Sequence, residues 1–273
     1  MHSAEGETSP PILYHYTDQP GLLGILHFKK LWMTHHSFLN DSNEISYGKA
    51  LMKRSVAAMQ HRIPIESFEE WMDEFDTRED RVKDQTYIVC LSSLGDQLSQ
   101  WRAYADDGVG FAIGFSNELL RNLAGDQGWA FGPDKVIYDL KSQTELMKKT
   151  IDEGFAEHEG ELIEFWDGLL DQHAINFKDD AFSEESEWRM SSIFIESSTD
   201  ADAFYESPRP KYRSTKYGIA PYVELPVPEG SILEIVVGPR SPMRDKHWVL
   251  RNLLESNGIQ NNVQLTNSSA TYG

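Results

Sequence analysis

Ser183-Glu184-Glu185-Ser186-Glu187-Trp188-Arg189-Met190 decides how the rest of the chain is read. Polar and bulky residues alternate through it, the period-two pattern of a half-buried strand. The alternation predicts a strand with Glu185, Glu187 and Arg189 on one face and Trp188 and Met190 anchoring the other. Two carboxylates so close repel each other unless a cation or a polar ligand fills the space before them. A solvent-facing edge, with Arg189 balancing its neighbours, accounts for the same letters. The functional question is whether other segments build a pocket against this strand.

The chain has 273 residues, 40% hydrophobic and 11% aromatic, an ordinary globular composition with room for a substantial core. Acidic residues number 44 against 25 basic ones, a net charge of -19. Such a field disfavours duplex DNA and anionic membranes except at a local basic patch. Pro208-Arg209-Pro210-Lys211-Tyr212-Arg213-Ser214-Thr215-Lys216-Tyr217 is the one stretch of that kind. It reads as a loop, either solvated or able to grip a phosphate or a single strand. The single cysteine, Cys90, excludes an internal disulfide and a multi-cysteine zinc site, and its apolar run Tyr87-Ile88-Val89-Cys90-Leu91 reads as a strand with a buried thiol. No run approaches the roughly 20 apolar residues that span a bilayer. The first ten residues read as a flexible leader without signal-peptide character, so a cytoplasmic location is expected.

Along the chain, Ile12–Thr17 predicts a short strand with His15 and Thr17 on one side and Tyr14 and Tyr16 on the other. Asp18 and Pro20 open a helix whose apolar face is Leu22, Leu23, Ile25, Leu26 and Phe28. Lys30–Thr34 predicts a second strand. Asn40 and Asp41 are expected to cap a helix through residues 46–61, with Glu44 beside them. Residues 64–85 read as an acidic, solvated helical stretch. No His-Glu-x-x-His spacing exists, and neighbouring His35 and His36 would point apart, so no metal site is expected.

Thr86–Ser92 predicts a buried strand, and Leu98–Ala105 a short helix with Trp101 and Tyr104 three apart. Val109–Phe115 reads as a strand. Glycines 108, 110 and 114 lie at and within it instead of opening a helix, which excludes a dinucleotide fingerprint. Further elements are expected over 116–123 (helix), 134–140 (strand), 142–180 (a long helical insertion), 217–225 and 231–237 (strands), 245–256 (helix) and 263–265 (strand). With no repeat or linker, residues 11–273 read as one α+β domain.

Leu13-Tyr14-His15-Tyr16-Thr17, Leu39-Asn40-Asp41-x-x-Glu44, Trp101-x-x-Tyr104-Ala105, Glu185-x-Glu187-Trp188-Arg189 and Val236-Val237-Gly238-Pro239 together resemble an uncharacterised bacterial family, a domain of unknown function. More distantly, the chain resembles ADP-ribosyltransferases with a His-Tyr-Glu triad. Those proteins also begin with a His-x-Thr strand, a short helix ending Ile-Leu and a second strand, and end with Glu-x-Glu on a late strand. The resemblance implies a central mixed or antiparallel sheet with helical insertions and NAD as co-substrate. It implies Glu187 as catalytic carboxylate, with Glu185 as its companion and His15 as a further catalytic residue, and His15, Tyr16 and Thr17 at the ribose and nicotinamide. Trp101 and Tyr104 would stack the nicotinamide, and Arg102 or Arg189 would pair with the pyrophosphate. Asn40, Asp41 and Glu44 would support the site. The resemblance gives no residue for the middle position of the triad.

Three functions fit these readings. One is an NAD-consuming transferase or glycohydrolase, with a toxin or anti-phage role as its association and a protein or nucleic acid as acceptor. Another is a metal-dependent hydrolase or nuclease using Asp41, Glu44, Glu185 and Glu187. The third is a non-catalytic nucleotide-binding module around Trp101 and Tyr104.

Overall fold

The computed structural model describes residues 9–39, 44–62, 65, 68–69, 71–72, 75, 85–157, 170, 172–193, 208–215, 218–259 and 262–272. Ten strands form one mixed sheet: β1 (Ile12–Thr17), β2 (Lys30–His35), β3 (Thr86–Ser92), β4 (Phe111–Ser116), β5 (Phe131–Lys135), β6 (Glu187–Ile193), β7 (Lys211–Thr215), β8 (Gly218–Pro226), β9 (Ile232–Val237) and β10 (Gln264–Asn267). The main path runs β10-β9-β4-β1-β3-β2-β8-β7, and β6 leaves it at β3 to pair also with β5. Among these strands of the described residues, the β9–β10 pair alone is parallel; the isolated bridge Ile137↔Phe177 is parallel as well.

The helices are α1 (Gln19–Phe28), α2 (Glu44–Ala58), α3 (Leu98–Tyr104), α4 (Asn117–Gln127), α5 (Leu140–Glu157) and α6 (His247–Ser256). Asp18 starts α1 as expected: its side chain accepts the Gly21 N–H while Pro20 sits in the first turn. Leu22, Ile25 and Leu26 of α1, Leu120 and Ala124 of α4, and Leu250 and Leu254 of α6 recur at helical spacing. They close one core with Leu13, Leu91, Ile113, Trp188 and Met190 of the sheet. Each of the buried Leu, Ile and Met side chains contributes about 1.5–3 kcal/mol. Leu51, Met52 and Val56 of α2 form a second core with Met147 and Ile151 of α5 and with Ala174 and Phe177. A third, smaller cluster puts Trp101 of α3 against Tyr16 and Ala112.

The position that organises the site is a split in the sheet. One edge of β3 is paired along its whole length with β6. The other edge is shared: β1 holds its end at Tyr14↔Ser92, and β2 holds its start at Thr34↔Ile88 and His35↔Tyr87. Both strands run antiparallel to β3, so they compete for one row of hydrogen-bonding groups and part around Cys90. Gly110 lets β1 end close beside the turn before β4, because a side chain there would meet the Thr17 carbonyl at 2.2 Å.

Several expected boundaries move. The strand expected over 183–190 begins only at Glu187; Asp180–Glu185 is a 3-10 helix, and Ser186, at φ 46° and ψ 45°, turns the chain into the strand. The expected 134–140 strand is displaced to β5, and α5 already starts at Leu140. The expected basic loop contains a strand, β7, hydrogen-bonded to β8 from Lys211↔Tyr222 to Thr215↔Gly218. Within the expected insertion, α5 and residues 172–175 are helical, while Phe177 pairs with Ile137 in an isolated bridge. Asn40 and Asp41, most of the leader and most of 64–85 lie outside the described residues; α2 begins at Glu44.

Candidate functional site

The pairings β1–β3–β6 fix which side chains share a face. Tyr14, Ser92 and Glu187 are in register across three strands, as are Cys90 and Arg189 across two. Alternation then places Glu187, Arg189, Cys90 and Tyr14 on the face toward α3, with Trp188 and Met190 buried in the main core behind them.

Four charges interlock on that face. Arg189 clasps Glu187, its Nε donating to Oε1 at 2.7 Å and Nη2 to Oε2 at 2.9 Å, while Nη1 donates to the Ile175 carbonyl. Lys178 donates from Nζ to Glu187 Oε2 at 3.0 Å and also to Glu185 Oε2. Glu187, Arg189 and Lys178 are only 4%, 1% and 4% exposed, so this network sits almost wholly out of water. Glu185 ends the 3-10 helix and is reached at 3.4 Å by the Tyr104 hydroxyl of α3. From the side of α5, the Tyr138 hydroxyl accepts the Glu187 N–H at 2.9 Å. Burial alone would raise the pKa of Glu187; the Arg189 guanidinium, the Lys178 ammonium and the Cys90 thiol outweigh it and hold the carboxyl well below its usual range.

His15 reaches the same strand from the other side of the split. Its Nδ1 lies 3.0 Å from the carbonyl of Cys90. A carbonyl only accepts, so Nδ1 carries the proton and neutral Nε2 keeps an acceptor lone pair. Burial lowers the pKa of His15, the bond to Cys90 opposes this, and the charge of Arg213 lowers it further. Glu187 and His15 both touch Cys90, one at its thiol and the other at its backbone carbonyl. Yet they belong to opposite faces of the sheet: Tyr14 shares the face of Glu187, while His15 is in register with Ile113 of the main core.

The remaining expected site residues divide. Tyr104 joins the charged network. Tyr16 packs edge-on to Trp101 at 4.9 Å between ring centres, donates to the Leu94 carbonyl and accepts from Gln97 N–H. Trp101 is fully buried, with Nε1 bonded to Asp96 at 2.8 Å. Thr17 is buried at the end of β1 against Gly21. Arg102 is exposed and lies over the Tyr272 ring at 5.1 Å, with Arg240 at 5.2 Å from the same ring, away from the Glu187 network. Asn40 and Asp41 lie outside the described residues, as does the side chain of Glu44.

Lys178 and Tyr138 enter the site with no local signal in the sequence. Behind Tyr138 opens a cavity of about 480 Å³ lined by Tyr47, Arg54, Asp139, Leu140, Asp179 and Asp180. Asp139 and Asp179 are committed there as helix caps, to Ser142 and Ala181.

A family model described as "Protein of unknown function (DUF2971)" matches residues 100–190, the span that holds Trp101, Tyr104, Lys178, Glu185, Glu187 and Arg189. No curated protein and no solved structure matches the chain. Among the described residues no helix is long and apolar enough to cross a membrane.

Proposed function

We propose that this protein consumes NAD, breaking the bond between nicotinamide and ribose and passing ADP-ribose to a macromolecular acceptor or to water. The observation that carries the reading is the buried Glu187 carboxylate held by Arg189 and Lys178 on β6, beside the split between β1 and β2 where the His15 ring bonds to the Cys90 carbonyl. In the reaction the C1′–N bond breaks and its electron pair leaves with nicotinamide, neutralising the pyridinium. Positive charge grows on the ribose, and a fixed carboxylate in a dry site opposes it. The attacking oxygen or nitrogen bonds to C1′ and releases its proton to solvent. Glu187, held so firmly ionised, is a poor base and serves as an electrostatic stabiliser. His15 Nε2 is suited to accept a hydrogen bond from a ribose hydroxyl.

Burying four charges gives little or no net stability compared with an apolar replacement, which favours a functional reason for the network. The metal-hydrolase reading is disfavoured because the Lys178 ammonium already bridges Glu185 and Glu187 where a divalent ion would sit. A nucleotide-binding module without turnover is the second reading. It is favoured by the clasp itself, since both Glu187 oxygens already have cationic partners. Incubation with NAD, with and without cell lysate as acceptor source, separates the two. Release of free nicotinamide supports the enzyme; thermal stabilisation by NAD without release in either condition leaves the binding module.

A further inference from the structure

We propose that Arg213, with Thr34 and Trp32, forms a subsite for a nucleotide phosphate on the sheet face that also carries Glu187. The inference rests on the nucleotide reading above and names the group that holds the ligand's charged middle. Arg213 lies on β7 and donates from Nη2 to Thr34 Oγ1 of β2 at 2.8 Å. Its guanidinium lies over the Trp32 ring at 5.1 Å, and Trp32 in turn packs against Tyr222 at 4.7 Å between ring centres. The register sets this up: Thr34 is opposite Tyr222, and Arg213 is opposite Ala220, so their side chains emerge on one face of the sheet.

Arg213 is a cation left without a matching anion. Among the described residues no carboxylate forms an ion pair with it, and its Nε is buried with no hydrogen-bond acceptor. The chain carries a net charge of -19, so an anionless guanidinium stands out and calls for a partner from outside the chain. Burial lowers the pKa of Arg213, opposed by Tyr222 and then by Asp18, one of whose oxygens is committed to the Gly21 N–H. The charge of Arg213 in turn disfavours protonation of His15, so the two residues share one electrostatic neighbourhood. A planar guanidinium with open donors suits two phosphate oxygens at once. Trp32, 36% exposed, carries the guanidinium on its ring and is itself held by Tyr222, which fixes the plane of the fork. The other two candidate arginines are engaged elsewhere: Arg189 with Glu187, Arg102 with the Tyr272 ring.

Isothermal titration of the full chain with ADP and with inorganic pyrophosphate, using adenosine as the uncharged control, tests the subsite. Wild type should bind both charged probes, and Arg213→Gln should weaken them about tenfold or more while leaving adenosine unchanged. Arg213→Lys should recover only part of the loss, because an ammonium lacks the two-point fork. If Arg213→Gln fails to fold, Thr34→Val takes its place and should weaken the same probes by releasing the guanidinium. Equal affinities in wild type and variant, or no binding of either probe by wild type, overturn the proposal. The two readings fail separately. Binding of ADP through Arg213 without nicotinamide release removes the glycosidic chemistry alone. Nicotinamide release with an unchanged KM for NAD in Arg213→Gln removes the subsite alone.

Discussion

Arg189 and Glu187 face the same way from one strand and form a two-point clasp, with nitrogen-to-oxygen distances of 2.7 and 2.9 Å. Residues two apart on a strand share a face, so the local backbone delivers this pairing without help from any other element. What the clasp lacks is compensation for a second buried cation, and that comes from Glu185 through Lys178. The network is balanced as a set of four, so removing any one member leaves an unmatched buried charge.

Glu187→Gln should therefore lower stability by about 3–5 kcal/mol, because two cations lose their shared anion. Urea denaturation measures this. The same variant should lose nicotinamide release at temperatures where circular dichroism shows it folded. Retained wild-type turnover in the folded variant would remove Glu187 from the chemistry.

Lys178→Met should also destabilise, by a similar amount, since it leaves Glu185 and Glu187 facing each other without the bridging ammonium. Its second signature is in pH: one carboxyl of the pair should take up a proton nearer neutrality than in wild type. A pH titration followed by the NMR signals of the glutamate side chains reads this directly. Unchanged titration would mean that solvent, not Lys178, separates the carboxylates.

Stability should fall in acid in two stages. His15 and His173 both have pKa values pushed below 6.5 by burial, so the unfolded state binds their protons first. Their contribution is complete above about pH 6.5 and is lost as pH falls through the depressed values. Glu187, depressed from 4.5, adds a second loss as pH falls below that value. Melting temperatures recorded across this range should show both, and His15→Gln should reduce the first stage only.

Gly48→Ala should disturb the network from a distance. A side chain at position 48 would meet the Ala174 carbonyl oxygen at 2.0 Å, and backbone cannot swing aside. The expected cost is about 1–3 kcal/mol. Ile175, whose carbonyl accepts from Arg189, is the next residue along, and Lys178 follows shortly after. Loss of nicotinamide release beyond what the fraction unfolded explains would place Gly48 among the residues that position the site.

Asp96→Ala should loosen α3. One carboxylate takes the Trp101 Nε1–H, the Ser268 and Ser269 hydroxyls and the Ser269 N–H, tying the last described segment to the helix that carries Tyr104. Hydrogen bonds to a charged group contribute about 1.5–3 kcal/mol each when buried, and this site is part-exposed, so a total loss of about 2–3 kcal/mol is expected. Faster hydrogen exchange over residues 98–105 and 268–270 would locate the effect.

The sequence alone determined the elements whose pattern is local. Thr86–Ser92 is continuously apolar enough to mark a strand buried on both faces, and its bounds match β3. Asp18 and Pro20 specify the start of α1 through short-range capping. The period of two set Glu187 and Arg189 on one face and sent Trp188 and Met190 into the core. The same alternation misled one turn earlier: Ser186 adopts a left-handed conformation, so Glu185 leaves the strand while its carboxylate stays within reach of Lys178. Only the tertiary structure decided the partners. Lys178 comes from a stretch that reads as helical insertion, Tyr138 from one that reads as strand, and His15 meets Cys90 because β1 and β2 part along one edge of β3. Such contacts depend on register between segments far apart in the chain, and no period within a single segment encodes it. The glutamate strand was therefore legible from its own residues; the charges gathered around it and the split beside it were not.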